Sequence, residues 1–234
     1  MTLLDRYLKG ETLEVYDDLY ALGQEALNPS NFIQTDLILK ETFQRVKFNL
    51  DIIYKELKNI NYLFVSNIKH DWQKPLLPPD PNVDLLLSEV KFKIKTGGHI
   101  PLSLEYFYRI VGSCNFCWDW ESNPDIPWEG ADPIDIPPIT TLLSDLIYDD
   151  YDRDDILLGG DYLQKDNVSG SCYNIQLTPS VSVDSLFLHE NWDIPFIEYL
   201  RITFDNCGFS MADQSDYDDL DTFCDRVRPL LKEI

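Results

Sequence analysis

The sequence predicts an α+β protein, an antiparallel sheet flanked by helices with an amino-terminal helical extension, and three features carry that expectation. Residues 1–95 are dominated by apolar side chains at helical spacing. Beyond Gly112 the texture changes to short, partly alternating segments bounded by Gly, Pro, Asn and Asp, which is strand and turn chemistry. Helical spacing then returns from Pro195 to Cys207 and from Tyr217 to Lys232. Helices before and after a strand-rich stretch are the pattern of helices laid on one face of an antiparallel sheet.

In chain order, residues 2–27 read as one or two amphipathic helices interrupted near Gly10, and Asn28-Pro29-Ser30 closes that unit. Leu39, Phe43, Val46, Leu50, Ile53 and Leu57 follow one another at steps of four and three. That rhythm is one apolar seam on a single helix from about Thr35 to Asn59, a spine for an intramolecular bundle. The proline-rich segment Lys74–Pro81 interrupts the helices and reads as a linker. Val83, Leu86, Leu87, Val90 and Ile94 form a second stripe, closed by Gly97-Gly98. In "IPLSLEYFYRIVGS", Ile100 to Ser113, Pro101, Ser103 and Gly112 bracket a short helix between Ser103 and Val111, with Ser103 as its cap. Leu104, Phe107, Tyr108 and Val111 make one stripe on it, and the sheet is the expected receiver. The organisation expected is a helical region over residues 1–95 and an α+β domain over residues 96–234.

Charge narrows the choice of partner. The 234 residues carry 19 basic and 41 acidic side chains, a net charge of −22. Residues 1–100 hold 12 of the basic and 14 of the acidic ones, so nearly all of the excess lies in residues 101–234. Such a field repels phosphate backbones and anionic lipid and attracts basic proteins, so the expectation is no nucleic acid, no membrane, and a basic protein as partner. An acidic surface also keeps a protein dissolved, which is the plainer reading of the same charge. No run reaches the roughly 18 apolar residues of a membrane span, and the first ten residues lack a secretory apolar stretch. The five cysteines, Cys114, Cys117, Cys172, Cys207 and Cys224, are odd in number and scattered, which suits reduced thiols in the cytoplasm.

No constellation reads as catalytic or metal-binding, and no cofactor is expected. Cys114-Asn-Phe-Cys117 has the spacing of a redox pair or half a zinc site, but no second ligand pair follows. His189-Glu190 begins like a zincin helix, yet Asp193 stands at the fifth position and Pro195 interrupts. "DDYDRDDILLGGD", Asp149 to Asp161, places carboxylates at positions 1, 3, 5 and 12 counted from Asp150, which partly imitates a calcium loop; Asp155 stands where such a loop needs glycine. Asp149, Asp150, Asp152, Asp154 and Asp155 are candidates for docking a basic partner. Trp118, Trp120 and Trp128, set among acids, are candidate aromatic anchors, though tryptophans also belong in cores.

The string "IPLSLEYFYRIVGS", a tryptophan-containing strand, "DPIDI", "DYLQKDNVSG" and "NWDIPFIEYLRITFDNCGF" together resemble bacterial members of the SUKH superfamily. That group includes the yeast SMI/KNR-type cell-wall synthesis regulators and many immunity proteins of polymorphic toxin systems. The resemblance spans about Gly97 to Phe209, and the amino-terminal helices resemble an extension carried by some bacterial relatives. Relatives often have two glycines before the phenylalanine, where Cys207-Gly208-Phe209 has one. The resemblance implies an α+β binding module without enzymatic chemistry, of immunity or regulatory type, whose partner would be a basic protein such as a cognate toxin. Two other classes stay open: a calcium-dependent module using the Asp150 loop, and a small-molecule enzyme with a pocket near His189.

Overall fold

The computed structural model describes residues 1–65, 74–94, 97–118, 128, 130–148, 154–160, 165, 172–189, 192–214 and 216–234. The chain begins with α1, Leu3–Leu8, where Thr2 and Asp5 form a reciprocal capping box, and α2, Thr12–Leu22. The spine is α3, Pro29–Asn59, and all six seam residues from Leu39 to Leu57 are buried. It starts six residues before the expected Thr35, because Asn28-Pro29 opens a helix here. Asn28 is extended, and a proline in the first turn gives up an N–H that has no partner inside the helix anyway. The buried Thr42 hydroxyl joins the spine to the first helices through Tyr7 and Tyr16, at 2.8 and 2.9 Å. Further along, buried Asn49 donates to the Lys232 carbonyl and accepts from the Lys232 N–H, both at 2.8 Å. It thereby pairs with the carboxy-terminal segment as a strand neighbour would.

Lys74–Pro81 is more than a linker. Its β1, Leu76–Leu77, pairs antiparallel with β2, Ser113–Asn115, which pairs in turn with β3, Asp135–Ile136, in a small three-stranded sheet. Between β1 and β2 lie α4, Val83–Lys93, with Leu87 and Val90 buried, and α5, Leu102–Tyr106, continued by a π turn over Phe107–Val111. The aromatic helix ends at Gly112 as expected but begins at Leu102. Ser103 is not its cap, because its hydroxyl donates instead to Asp184 Oδ1 at 2.6 Å. Gly112 is required twice over: its φ is +98°, and a β-carbon there would lie 2.3 Å from the Leu77 carbonyl oxygen. The stripe Leu104, Phe107, Tyr108, Val111 is buried, and its receiver includes helices: Phe107 sits edge-on to Phe43 of α3 at 6.3 Å and to Phe196 at 6.0 Å.

After β3 comes α6, Ile139–Tyr148, in a stretch where strands were expected. The second sheet follows as a meander in the order β4, Asp155–Gly160; β5, Cys172–Gln176; β6, Leu186–His189; β7, Trp192–Pro195, all antiparallel. The strands therefore divide between two small sheets. At the bulge in β4 a β-carbon on Gly159 would lie 2.4 Å from the Asp135 carbonyl oxygen, so the two sheets touch there through bare backbone. The chain closes with α7, Phe196–Asp205, and α8, Asp218–Val227. One cluster of buried side chains runs from Tyr7 to Ile234 and draws on both sides of residue 95. No helix among the described residues is long and apolar enough to cross a membrane.

Candidate functional site

Among the described residues, α8 and the turn before it present a dense run of exposed carboxylates. Leu220, Phe223, Cys224 and Val227 recur at steps of three, one and three, so they face the core and leave the opposite side to solvent. That side carries Asp218, Asp219, Asp221 and Asp225, and exposed Asp213 and Asp216 precede it. Residues 202–225 contain seven aspartates and no lysine or arginine. Acids in the first turn also suit the positive end of the helix dipole, so Asp218, Asp219 and Asp221 stabilise the element that displays them. The helical spacing of this segment is legible in the sequence, and the signal for its carboxylate face, absent from the residues expected to meet a partner, is the recurrence of Asp from 213 to 225 without an intervening base.

Of the residues expected to meet a partner, Asp149, Asp150, Asp152 and Trp120 lie outside the described residues. Asp154 is exposed, and Asp155 is half-buried as the first residue of β4, opposite Gln176. Trp118 and Trp128 are core residues, 2% and 1% exposed, and present no ring face to a partner. The reason is aromatic packing: Trp128 lies 5.1 Å edge-on from Phe209 and 5.7 Å from both Tyr62 and Phe223. Its indole N–H donates to Asp219 Oδ2 at 3.0 Å, which fixes α8 over that cluster. Trp118 forms a bridge with Phe64.

The geometry around the other candidate motifs is also specific. Positions 6 to 11 of the calcium-like count, Asp155–Gly160, are an extended strand paired with β5, whereas a calcium loop must turn around its ion. His189 is the last residue of β6, paired with Trp192, in place of a helix. Cys114 lies in β2, and burial pushes its thiol pKa upward. A cavity of about 500 Å³ is lined by Thr12, Arg201, Phe204, Asp205, Arg228 and Ile234 among others, and one of about 330 Å³ by Leu77–Pro81, Tyr108 and Pro138.

A second group of polar residues, unforeseen from the sequence, is buried between the sheets and α7. Asp132, fully enclosed and at a left-handed φ of +54°, accepts from Lys165 Nζ at 2.7 Å, from the Tyr173 hydroxyl and from the Ser210 hydroxyl. Its carbonyl accepts the Ser210 N–H at 2.9 Å. Burial opposes the Lys165 charge, but the Asp132 carboxylate outweighs it and holds the ammonium pKa above the ordinary lysine value. Burial and the same carboxylate push the Tyr173 phenol upward. Lys165 is therefore a held cation, not the free amine that nucleophilic lysine chemistry needs. Nearby Asp135 is pushed up to about 6 by burial, against the pull of Lys165 and an N–H from Gly160. Its Oδ1 is sealed from solvent without a hydrogen bond. What this group does is hold four distant stretches of chain together.

No family model matches the chain, and no curated protein or solved structure matches it either.

Proposed function

We propose that this chain is a non-enzymatic protein-binding module of immunity or regulatory type, cytoplasmic and of SUKH kind, whose acidic face covers a basic partner such as a toxin. The observation that carries the reading is the exposed carboxylate face of α8 and its preceding turn, Asp213 to Asp225, unbroken by any basic residue in sequence. Asp154 and its neighbours Asp149, Asp150 and Asp152 belong to the same proposal. The field of such a face speeds encounter with a basic surface and suppresses acidic competitors. With Trp118 and Trp128 committed to the core, affinity falls to charge-assisted hydrogen bonds between these aspartates and arginines of the partner.

The test begins with affinity capture from the native host, followed by binding kinetics at low and high salt. Replacing Asp216, Asp221 and Asp225 by asparagine should slow association about tenfold at low salt and flatten its salt dependence. Melting should barely move, since exposed charges contribute little to stability. An acidic partner, or association indifferent to the three changes, would reduce the charge to a solubility device.

A further inference from the structure

The turn after α7 and the last turn of α8 bring two cysteines together. Cys207 has a φ of +52°, a left-handed conformation that favours glycine, so tertiary contacts hold its side chain in place at a backbone cost. Its Sγ reaches the Cys224 carbonyl at 3.4 Å, and Cys224 Sγ reaches the Asn206 carbonyl at 3.7 Å. The two contacts cross, each thiol turned toward the backbone at or beside the other cysteine. Both residues are buried, and Phe204, Asp205 and Arg228, neighbours of the pair in sequence, line the cavity of about 500 Å³.

We propose that Cys207 and Cys224 are a peroxide-sensitive dithiol that closes to a disulfide between the end of α7 and the last turn of α8. The roles of the two sulfurs follow from their surroundings. The Cys207 S–H and then Arg228 lower the Cys224 pKa against burial, Asp221 and Asp225, whereas sharing its proton with Cys224 and burial raise that of Cys207. Cys224 is the attacking thiolate: it takes one oxygen from hydrogen peroxide, forming a sulfenic acid and releasing hydroxide. The Cys207 sulfur then attacks the Cys224 sulfur, and the S–S bond forms as the sulfenic oxygen leaves. Counting the proton from Cys207, two thiols and one peroxide give one disulfide and two waters. The bond would pin the turn that carries Phe209 and Ser210, and with it one of the groups holding Asp132.

The experiment treats the native protein with hydrogen peroxide, quenches it, and counts thiols after unfolding. Two of the five should be lost and recovered with dithiothreitol. Trypsin leaves both cysteines in one peptide, because no lysine or arginine lies between Arg201 and Arg226. That peptide should lose two hydrogens in mass and refuse alkylation, and cleavage at aspartate should return Cys207 and Cys224 in linked fragments. Cys207→Ser should stop at a sulfenic acid on Cys224, captured by dimedone, while Cys224→Ser should leave Cys207 unlabelled. Retention of all five thiols, or a link between any other pair, would overturn the proposal on the wild-type protein alone, whether or not the variants fold.

Discussion

Asp135 offers the sharpest test of the electrostatics. Its carboxylate faces Lys165, Asp132, the Gly160 N–H and the Cys114 thiol, and burial lifts its pKa from 3.8 to about 6 despite the cation and the amide. Ionising it inside the fold is therefore harder than ionising it in the unfolded chain. At about 1.4 kcal/mol per tenfold change in proton affinity, the difference amounts to about 3 kcal/mol. The penalty is fully present above about pH 6, shrinks as pH falls through that value, and is gone below the unfolded value near 3.8. Asp135→Asn removes the ionisation and keeps the shape. The variant should be more stable than the wild type by about 2 to 3 kcal/mol at about pH 8, with the gap closing toward about pH 4. Urea unfolding of both proteins across that range is the assay. The chain's other acids also relax on acidification, so the difference between the two proteins is the quantity to read. A variant less stable than the wild type at pH 8, or a gap independent of pH, would show that Lys165 overcomes the burial of Asp135 and refute the reasoning.

Asp184 accepts from Ser103 Oγ, the Tyr20 hydroxyl, its neighbour's N–H at Ser185 and the Ile197 N–H in the first turn of α7. Asp184→Ala strands these donors and should cost about 3 kcal/mol, read as a loss of urea midpoint with unchanged slope; a cost below about 1 kcal/mol would mean water replaces the carboxylate without penalty. Gly112→Ala sets a β-carbon against the Leu77 carbonyl at a φ of +98° and should cost about 3 kcal/mol or more, seen as a lower Tm, whereas an unchanged Tm would place β1 farther from the π turn than described.

The parts of the fold that could be read from the sequence are those where one local period decides burial. Leu39 to Leu57 is such a case: six apolar residues on one helical face leave few alternatives, and all six are buried. In α6 the same kind of period was present, since Ile139, Leu142, Leu143 and Leu146 are buried at helical steps. Pro137-Pro138 and the strand-like segments around it masked that period, although prolines ahead of a helix are a start signal as much as a break. Trp118 and Trp128 have acidic sequence neighbours that suggest a surface, but their partners, Phe64, Tyr62, Phe209 and Phe223, come from other parts of the chain. The cluster of Asp132, Lys165, Tyr173 and Ser210 had no local signal at all. Its members are separated by up to 78 residues, and nothing in the period of any one segment relates them. The acid-rich half was evident from composition, and only the structure assigned part of that charge to one face of α8.

Asn49 has a consequence for the order in which the protein can be made. Its side-chain amide, in the middle of the spine, is satisfied by the backbone of Lys232, 183 residues later, while Arg45, one turn earlier, reaches the Glu233 carbonyl at 2.9 Å. During synthesis α3 leaves the ribosome early and waits with a buried-to-be amide unpaired until the segment around Lys232 emerges. The spine helix is thus the first long element to appear and among the last to be completed. A chaperone that holds nascent helices would find the seam from Leu39 to Leu57 exposed throughout that interval.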